Sequence, residues 1–312
     1  MRFISNIFVL TGILIGFPLL FYVAFNGLNV DRLPDISDVE SGYVIEDDSG
    51  NTYDLDQYIV GVLPSEIDTN SEYEAIKAQA VIIRTSILQQ MNGKKQIKSK
   101  ELGEKYINED KLREQMGENE YTKNIQILTK TVLETRGKVM QAEGAYIVPL
   151  YHEVSVGTTV SAKELYGKAI TYLQAVDSSA DVEAPDYMHV EEWEYEDALA
   201  LLKQKKSDSK VTLEQLEKQI SVTSKTTSGY VKTIKVGDTK FSGEDWKEIF
   251  GLHSTNFYIE DHDHKMRVIS LGKGHGLGLS QYGANEMAKK GSDYKKILKY
   301  YYTGIKIATA YK

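Results

Sequence analysis

The chain contains no cysteine. That single absence removes disulfides, thiolate zinc sites, iron–sulfur clusters and cysteine nucleophiles together. It says little about compartment, because a chain without thiols is indifferent to redox poise. There is no long basic tract either. The 37 Lys and Arg residues are outnumbered by 45 Asp and Glu, for a net charge of −8. Clusters such as Lys203–Lys206 are interrupted and sit among acidic residues. Nucleic acid is therefore not an expected partner, since neutralising phosphates requires cations. No internal repeat or low-complexity tract is present, which argues against an elongated structural wall protein. What remains is ordinary globular composition, 41% hydrophobic and 26% charged over 312 residues, enough for a sizeable buried core.

The first thirty residues carry the one long apolar run. No charged side chain occurs from Phe3 to Val30, and Ile, Leu, Phe and Val dominate Ile4 to Phe25. A spanning helix needs about 20 such residues. The run is long for the core of a secretory signal and ends without a small-x-small cleavage site. Residues 1–27 are read as a single transmembrane anchor, with Arg2 inside and the body outside the cytoplasm. Residues 28–42 form a linker, and 43–312 an extracytoplasmic domain.

Within that domain Tyr43–Ile45, Asn51–Tyr53 and Tyr58–Leu63 have strand character, and Asp47–Gly50 has turn chemistry. Ser71-x-x-Glu74 fits a capping box opening a helix to about Met91 that is apolar nearly all round, hence central and buried. Residues 94–130 and 190–222 are charged, helix-prone excursions. Lys138–Gln141, Ala145–Tyr151, Val231–Val236 and Met266–Leu271 return to strand, and Asp293–Tyr302 is a last helix. Strands and helices do not alternate strictly, so the expected class is α+β, with mixed sheets packed with helices behind the N-terminal anchor.

Several constellations invite chemistry. Gly272-Lys273-Gly274-His275-Gly276-Leu277-Gly278 lacks the spacing of a phosphate loop and the third glycine of a dinucleotide fingerprint. Its alternate glycines allow close approach of a ligand or of another strand. His275 is then a site residue or a turn histidine. Gly278-Leu279-Ser280-Gln281-Tyr282 misses the serine-hydrolase elbow at its last position. Asp261-His262-Asp263-His264 offers metal-ligand types without an identifiable third ligand, and reads as a solvated turn. No metal or other cofactor is expected. Glu66, at a strand-to-helix connection, is an acid/base candidate or a surface glutamate near a helix N-terminus. Arg84 lies inside the apolar helix, where a guanidinium needs an anionic partner, structural or belonging to a substrate.

Three stretches in order carry a resemblance. Tyr58-Ile-Val-Gly-Val-Leu-Pro-Ser-Glu66 with Glu74–Val81 and Arg84-Thr85, then Phe241-Ser-Gly243 with Gly251–Phe257, then Gly272–Ala284 with Ile297–Tyr302, together resemble the stage II sporulation protein D family. The resemblance implies a peptidoglycan lytic transglycosylase for septal wall remodelling during engulfment. It also implies a partner amidase of the stage II sporulation protein P type and a membrane scaffold of the M type. Glu66 matches the family's catalytic glutamate. Arg84, Ser155, His275, Gln281 and Tyr282 are carried over as substrate-binding residues. Tyr151-His152, Ser155, Gly157 and Thr159 are similar to a central motif from which Glu153 and Val156 depart, and Lys273-Gly274-His275 departs from a Gly-Trp-Gly-His form. The alternative is a non-catalytic glycan-binding module that localises or activates the amidase.

Overall fold

The run Tyr58–Leu63, strand-like in composition, is helical in the computed structural model, which describes residues 35–206 and 209–312. The helix is Leu55–Glu66, and its start is set locally. The Asp54 carboxylate accepts the Asp56 amide at 2.9 Å, while Gln57 accepts the Asp54 amide in a reciprocal capping box. Residues Tyr58 to Leu63 are buried. Burial on all sides suits a β-branched run as well in a helix as in a strand, and the cap decides between them. Pro64, Ser65 and Glu66 are therefore the last turn of a helix rather than a strand-to-helix connection.

The second helix, Tyr73–Met91, is the expected central one, buried from Ala75 to Met91 on nearly every face. It opens without a capping box, since Glu72 is the N-cap and makes no side-chain cap bond. The Glu74 carboxylate instead accepts the Tyr294 amide at 2.8 Å, so it caps the final helix, Tyr294–Tyr301. The central helix ends at Asn92, left-handed with φ 47°, one residue ahead of Gly93.

Around these helices the described residues form small sheets. Val44–Glu46 pairs antiparallel with Thr52–Asp54 and parallel with Gln96–Lys98. Lys138–Ala142 lies between Lys306–Thr309 and Ala145–Tyr146, both antiparallel. Tyr151–His152 runs parallel to Leu279–Ser280, joining the middle of the chain to its closing segment. The last two of these sheets share with the central and closing helices a core that includes Val81, Ile82, Met140, Leu277, Tyr301 and Tyr302.

A second core, built on Trp246, Phe250, Leu202 and Met266, lies between two three-stranded antiparallel sheets and their helices. One sheet is Met188–Glu194, Lys265–Leu271 and Phe257–His262; the other is Ile220–Lys225, Val231–Val236 and Thr239–Ser242. Trp193, grouped by periodicity with the following helix, belongs to the first of these strands; the helix begins at Tyr195. Asp263 and His264 form the turn between Phe257–His262 and Lys265–Leu271, both with positive φ.

The class is mixed α+β. Among the described residues no helix is long and apolar enough to cross a membrane. The anchor expected within residues 1–27, and residues 28–34 of the linker, lie outside the described residues. Residues 35–39 belong to a short unit of their own, with a 3-10 turn at Ile36–Asp38 capped by Asp35.

Candidate active site

Glu66 ends the helix Leu55–Glu66 and stands half-buried at the wall of a groove of about 830 Å³. Its carboxylate is oriented from two sides. Oε2 accepts the phenol of Tyr151. Oε1 faces Ser65 Oγ at 3.3 Å and the Lys105 amide at 3.4 Å. The Glu66 carbonyl accepts Gln281 Nε2, which also reaches the buried Gln79 side chain at 3.3 Å. Burial, and then the facing Glu66 carboxylate, push the Tyr151 phenol far above its ordinary range. Tyr151 therefore stays protonated at working pH and donates to Glu66.

Lys105 belongs to a stretch that composition marks as a solvated excursion. The structure folds it back over the site helix. Ser65 Oγ donates to the Lys105 carbonyl at 2.5 Å, and the Ile107 amide donates to the Gly61 carbonyl at 2.9 Å. Gly61 permits this approach, since a Cβ there would lie 2.2 Å from the Tyr106 ring. Helix in this stretch begins only at Glu109.

The opposite wall comes from the glycine-rich segment. Its glycines approach protein, not ligand. A Cβ on Gly274 would meet His152 Cβ at 2.7 Å, and one on Gly278 would meet the Leu150 carbonyl at 1.8 Å. His152 and His275 stand side by side, ring centroids 5.9 Å apart. Burial, then His275, lowers the His152 pKa from 6.5 to about 3. Burial, then Lys247, lowers that of His275 to about 4. Both rings are neutral near pH 7.

Of the residues singled out from sequence, Glu66, His275, Gln281 and Tyr282 line one groove. Arg84 does not reach it. The guanidinium has no exposed surface and is bound to Asp56 Oδ1 at 2.9 and 3.1 Å, to Tyr311 at 2.9 Å and to the Thr135 carbonyl at 2.9 Å. Its anionic partner is structural. Burial opposes its charge, and Tyr311 and Asp56 outweigh that, raising its pKa. Ser155 is also fully buried away from the groove, donating its amide to Asp181 at 2.7 Å. Tyr151 and the Lys105 amide were not singled out as site residues. The first stood in a recognised motif, while no local signal marked the second.

Glu153 and Lys273, two of the departures from the family's motifs, meet. Lys273 Nζ lies 2.5 Å from the Glu153 carboxylate and 3.6 Å from Asp186, an ion pair at the groove rim.

The SpoIID family, stage II sporulation protein, matches residues 47–141. Stage II sporulation protein D of Bacillus subtilis (strain 168) is 31% identical over 264 residues, 82% of this chain and 75% of that protein. The chain belongs to the stage II sporulation protein D family. The Bacillus amyloliquefaciens protein of the same name is 29% identical over 267 residues, covering 82% of this chain and 74% of its own. The amidase enhancer of B. subtilis is a more distant relative, 23% identical over 291 residues, 78% of this chain and 39% of that protein. The family's matched stretch contains the Glu66 side of the groove, whereas Tyr151, His275 and Gln281 follow it in the chain.

Proposed function

We propose that this member of the sporulation family is a peptidoglycan lytic transglycosylase with Glu66 as its acid/base. The observation that carries the reading is a glutamate held at a groove wall, one oxygen bound by a permanently protonated phenol. Water-using glycosidases generally pair two carboxylates across the bond. One suffices where the nucleophile is the sugar's own C6 hydroxyl. Protonated Glu66 gives its proton to the glycosidic oxygen as the C1–O bond breaks. The C6 oxygen then closes on C1, and Glu66 takes back the proton that oxygen loses. A 1,6-anhydro end forms, no water is consumed, and the carboxylate returns to its starting state. Tyr151 stabilises the anionic phase by donating to it.

The setting that belongs to this reading is a wall-facing domain tethered by residues 1–27, working on septal glycan beside an amidase and a membrane scaffold. The name of the amidase enhancer relative supports a cell-wall role. Glu66→Gln tests the chemistry, since Gln keeps the shape and hydrogen bonding but cannot cycle a proton. Anhydro ends, read by mass spectrometry on strands stripped of stem peptides, should fall by about 10²–10⁴-fold. Undiminished product would remove Glu66 and bring forward Asp68, which also lines the groove. Absence of product with wild type would favour the binding-module reading.

A further inference from the structure

The two groove histidines hold the backbone of one residue, Leu277, one at its amide and one at its carbonyl. The Leu277 amide donates to His275 Nδ1 at 3.0 Å. The Leu277 carbonyl faces His152 Nδ1 at 3.1 Å. A backbone amide only donates and a carbonyl only accepts, so these partners assign the tautomers. His275 Nδ1 carries the lone pair and its proton is on Nε2. His152 is the reverse, with the proton on Nδ1. His152 Nε2 is shielded from solvent and has no partner among the described residues, so its ring offers the groove nothing. His275, half-buried, presents a donor that cannot turn into an acceptor without breaking its bond to Leu277.

An obligate donor selects an obligate acceptor. A sugar hydroxyl can donate as well as accept and is a poor match for such selection. A carboxylate only accepts, yet Glu66, Asp68, Glu153 and Asp186 already line this groove and disfavour a further anion. Among the neutral groups of a wall sugar that only accept, the acetamido carbonyl is the strongest, since an amide oxygen is a better acceptor than the ether oxygens of the ring and the glycosidic link. We propose that the Leu277 amide locks His275 as an Nε2–H donor that reads the acetamido carbonyl of an N-acetylated sugar. The inference rests on the glycan reading above and adds its specificity. The burial that keeps the His275 ring neutral is consistent with it.

The test separates binding from cleavage. The full chain in detergent is titrated calorimetrically with chitohexaose and with cellohexaose. These are neutral β-1,4 hexamers differing only in the acetamido or hydroxyl group at C2. Wild type should bind chitohexaose tighter by on the order of tenfold, the scale of one hydrogen bond. His275→Phe, which keeps a ring without the donor, should erase that preference. Equal binding of the two sugars by wild type, failure to bind either, or a preference surviving in His275→Phe would each overturn the proposal. Nitrogen-15 spectra of the wild-type imidazoles provide a readout independent of any variant's folding. His275 should be protonated at Nε2 at pH 7, and its Nε2–H resonance should shift with chitohexaose but not cellohexaose. The opposite tautomer, or no shift, would overturn it. Loss of anhydro product in Glu66→Gln with the sugar preference intact leaves both readings standing. Normal cleavage by a wild type without the preference defeats only this one.

Discussion

Arg84 has no exposed surface, so its charge must be met by oxygens inside the protein. Asp56, Tyr311 and the carbonyls of Val132 and Thr135 meet it. Removing one member of such a pair strands the other. In Arg84→Ala the buried Asp56 keeps only the Tyr311 hydroxyl and Arg136, whose Nε lies 3.6 Å from Oδ2. Denaturant unfolding should show a loss of about 3–5 kcal/mol, while the protein that remains folded keeps its affinity for glycan. A variant of wild-type stability that cannot bind glycan would return Arg84 to the groove. The need for an anion was legible in the sequence, because a guanidinium inside an apolar helix demands one. Which anion was not, since Asp56 lies 28 positions away on another helix. Tyr151 reaches Glu66 across 85 positions, and no spacing rule spans that distance.

Secondary structure around the site depends on caps and close approaches more than on residue propensity. The Asp54–Gln57 box turns a strand-like run into the helix that delivers Glu66. Gly61, on that helix, is the point where the 94–130 stretch lies down. A methyl there meets the Tyr106 ring at 2.2 Å and the Ile107 carbonyl at 3.0 Å, and neither can yield without lifting the segment. Gly61→Ala should therefore cost about 1–3 kcal/mol by overpacking. Because the Lys105 amide departs from Glu66 with the same movement, anhydro-product formation should fall too. Hydrogen exchange should quicken across residues 103–116. Unchanged exchange there with full activity would show that the segment does not hold the carboxylate. The charge of this stretch marks its outer surface. Its inner contacts fall to Tyr106 and to Ile107, Leu112 and Tyr121, which form a small core of their own.

At the scale of the whole molecule the two groove imidazoles link folding to pH. Their folded pKa values, about 3 for His152 and about 4 for His275, lie below the 6.5 of an unfolded histidine. Between those values the unfolded chain binds protons that the folded chain refuses. Stability is then fully present above about pH 6.5 and is lost as the pH falls towards 4. Asp181, whose pKa burial raises, works in the opposite sense, its contribution declining as the pH climbs above 3.8. Replacing one histidine leaves Asp181 in place, so the comparison isolates the imidazole. His152→Gln should flatten the fall in unfolding free energy between pH 6.5 and 4 relative to wild type. Parallel curves for the two proteins would mean that His152 carries no such linkage.

Composition by itself determined the chemistry that is excluded. A chain without cysteine cannot use thiol chemistry, and its acidic balance does not suit it to phosphate. Local pattern determined the buried central helix, the closing helix and a turn at Asp263–His264, although Asp261 and His262 belong to the strand before it, because each depends on side chains within a few positions of one another. Ordered motifs singled out Glu66. Tertiary structure decided the rest. It gave Arg84 a structural partner and brought Tyr151, Gln281 and the Lys105 amide to one glutamate. It also set the two imidazoles in opposite tautomers on the backbone of Leu277. The physical reason is common to all of these. A hydrogen bond's direction and a buried charge's partner are settled by atoms distant in the chain, and local propensity is too weak to oppose them.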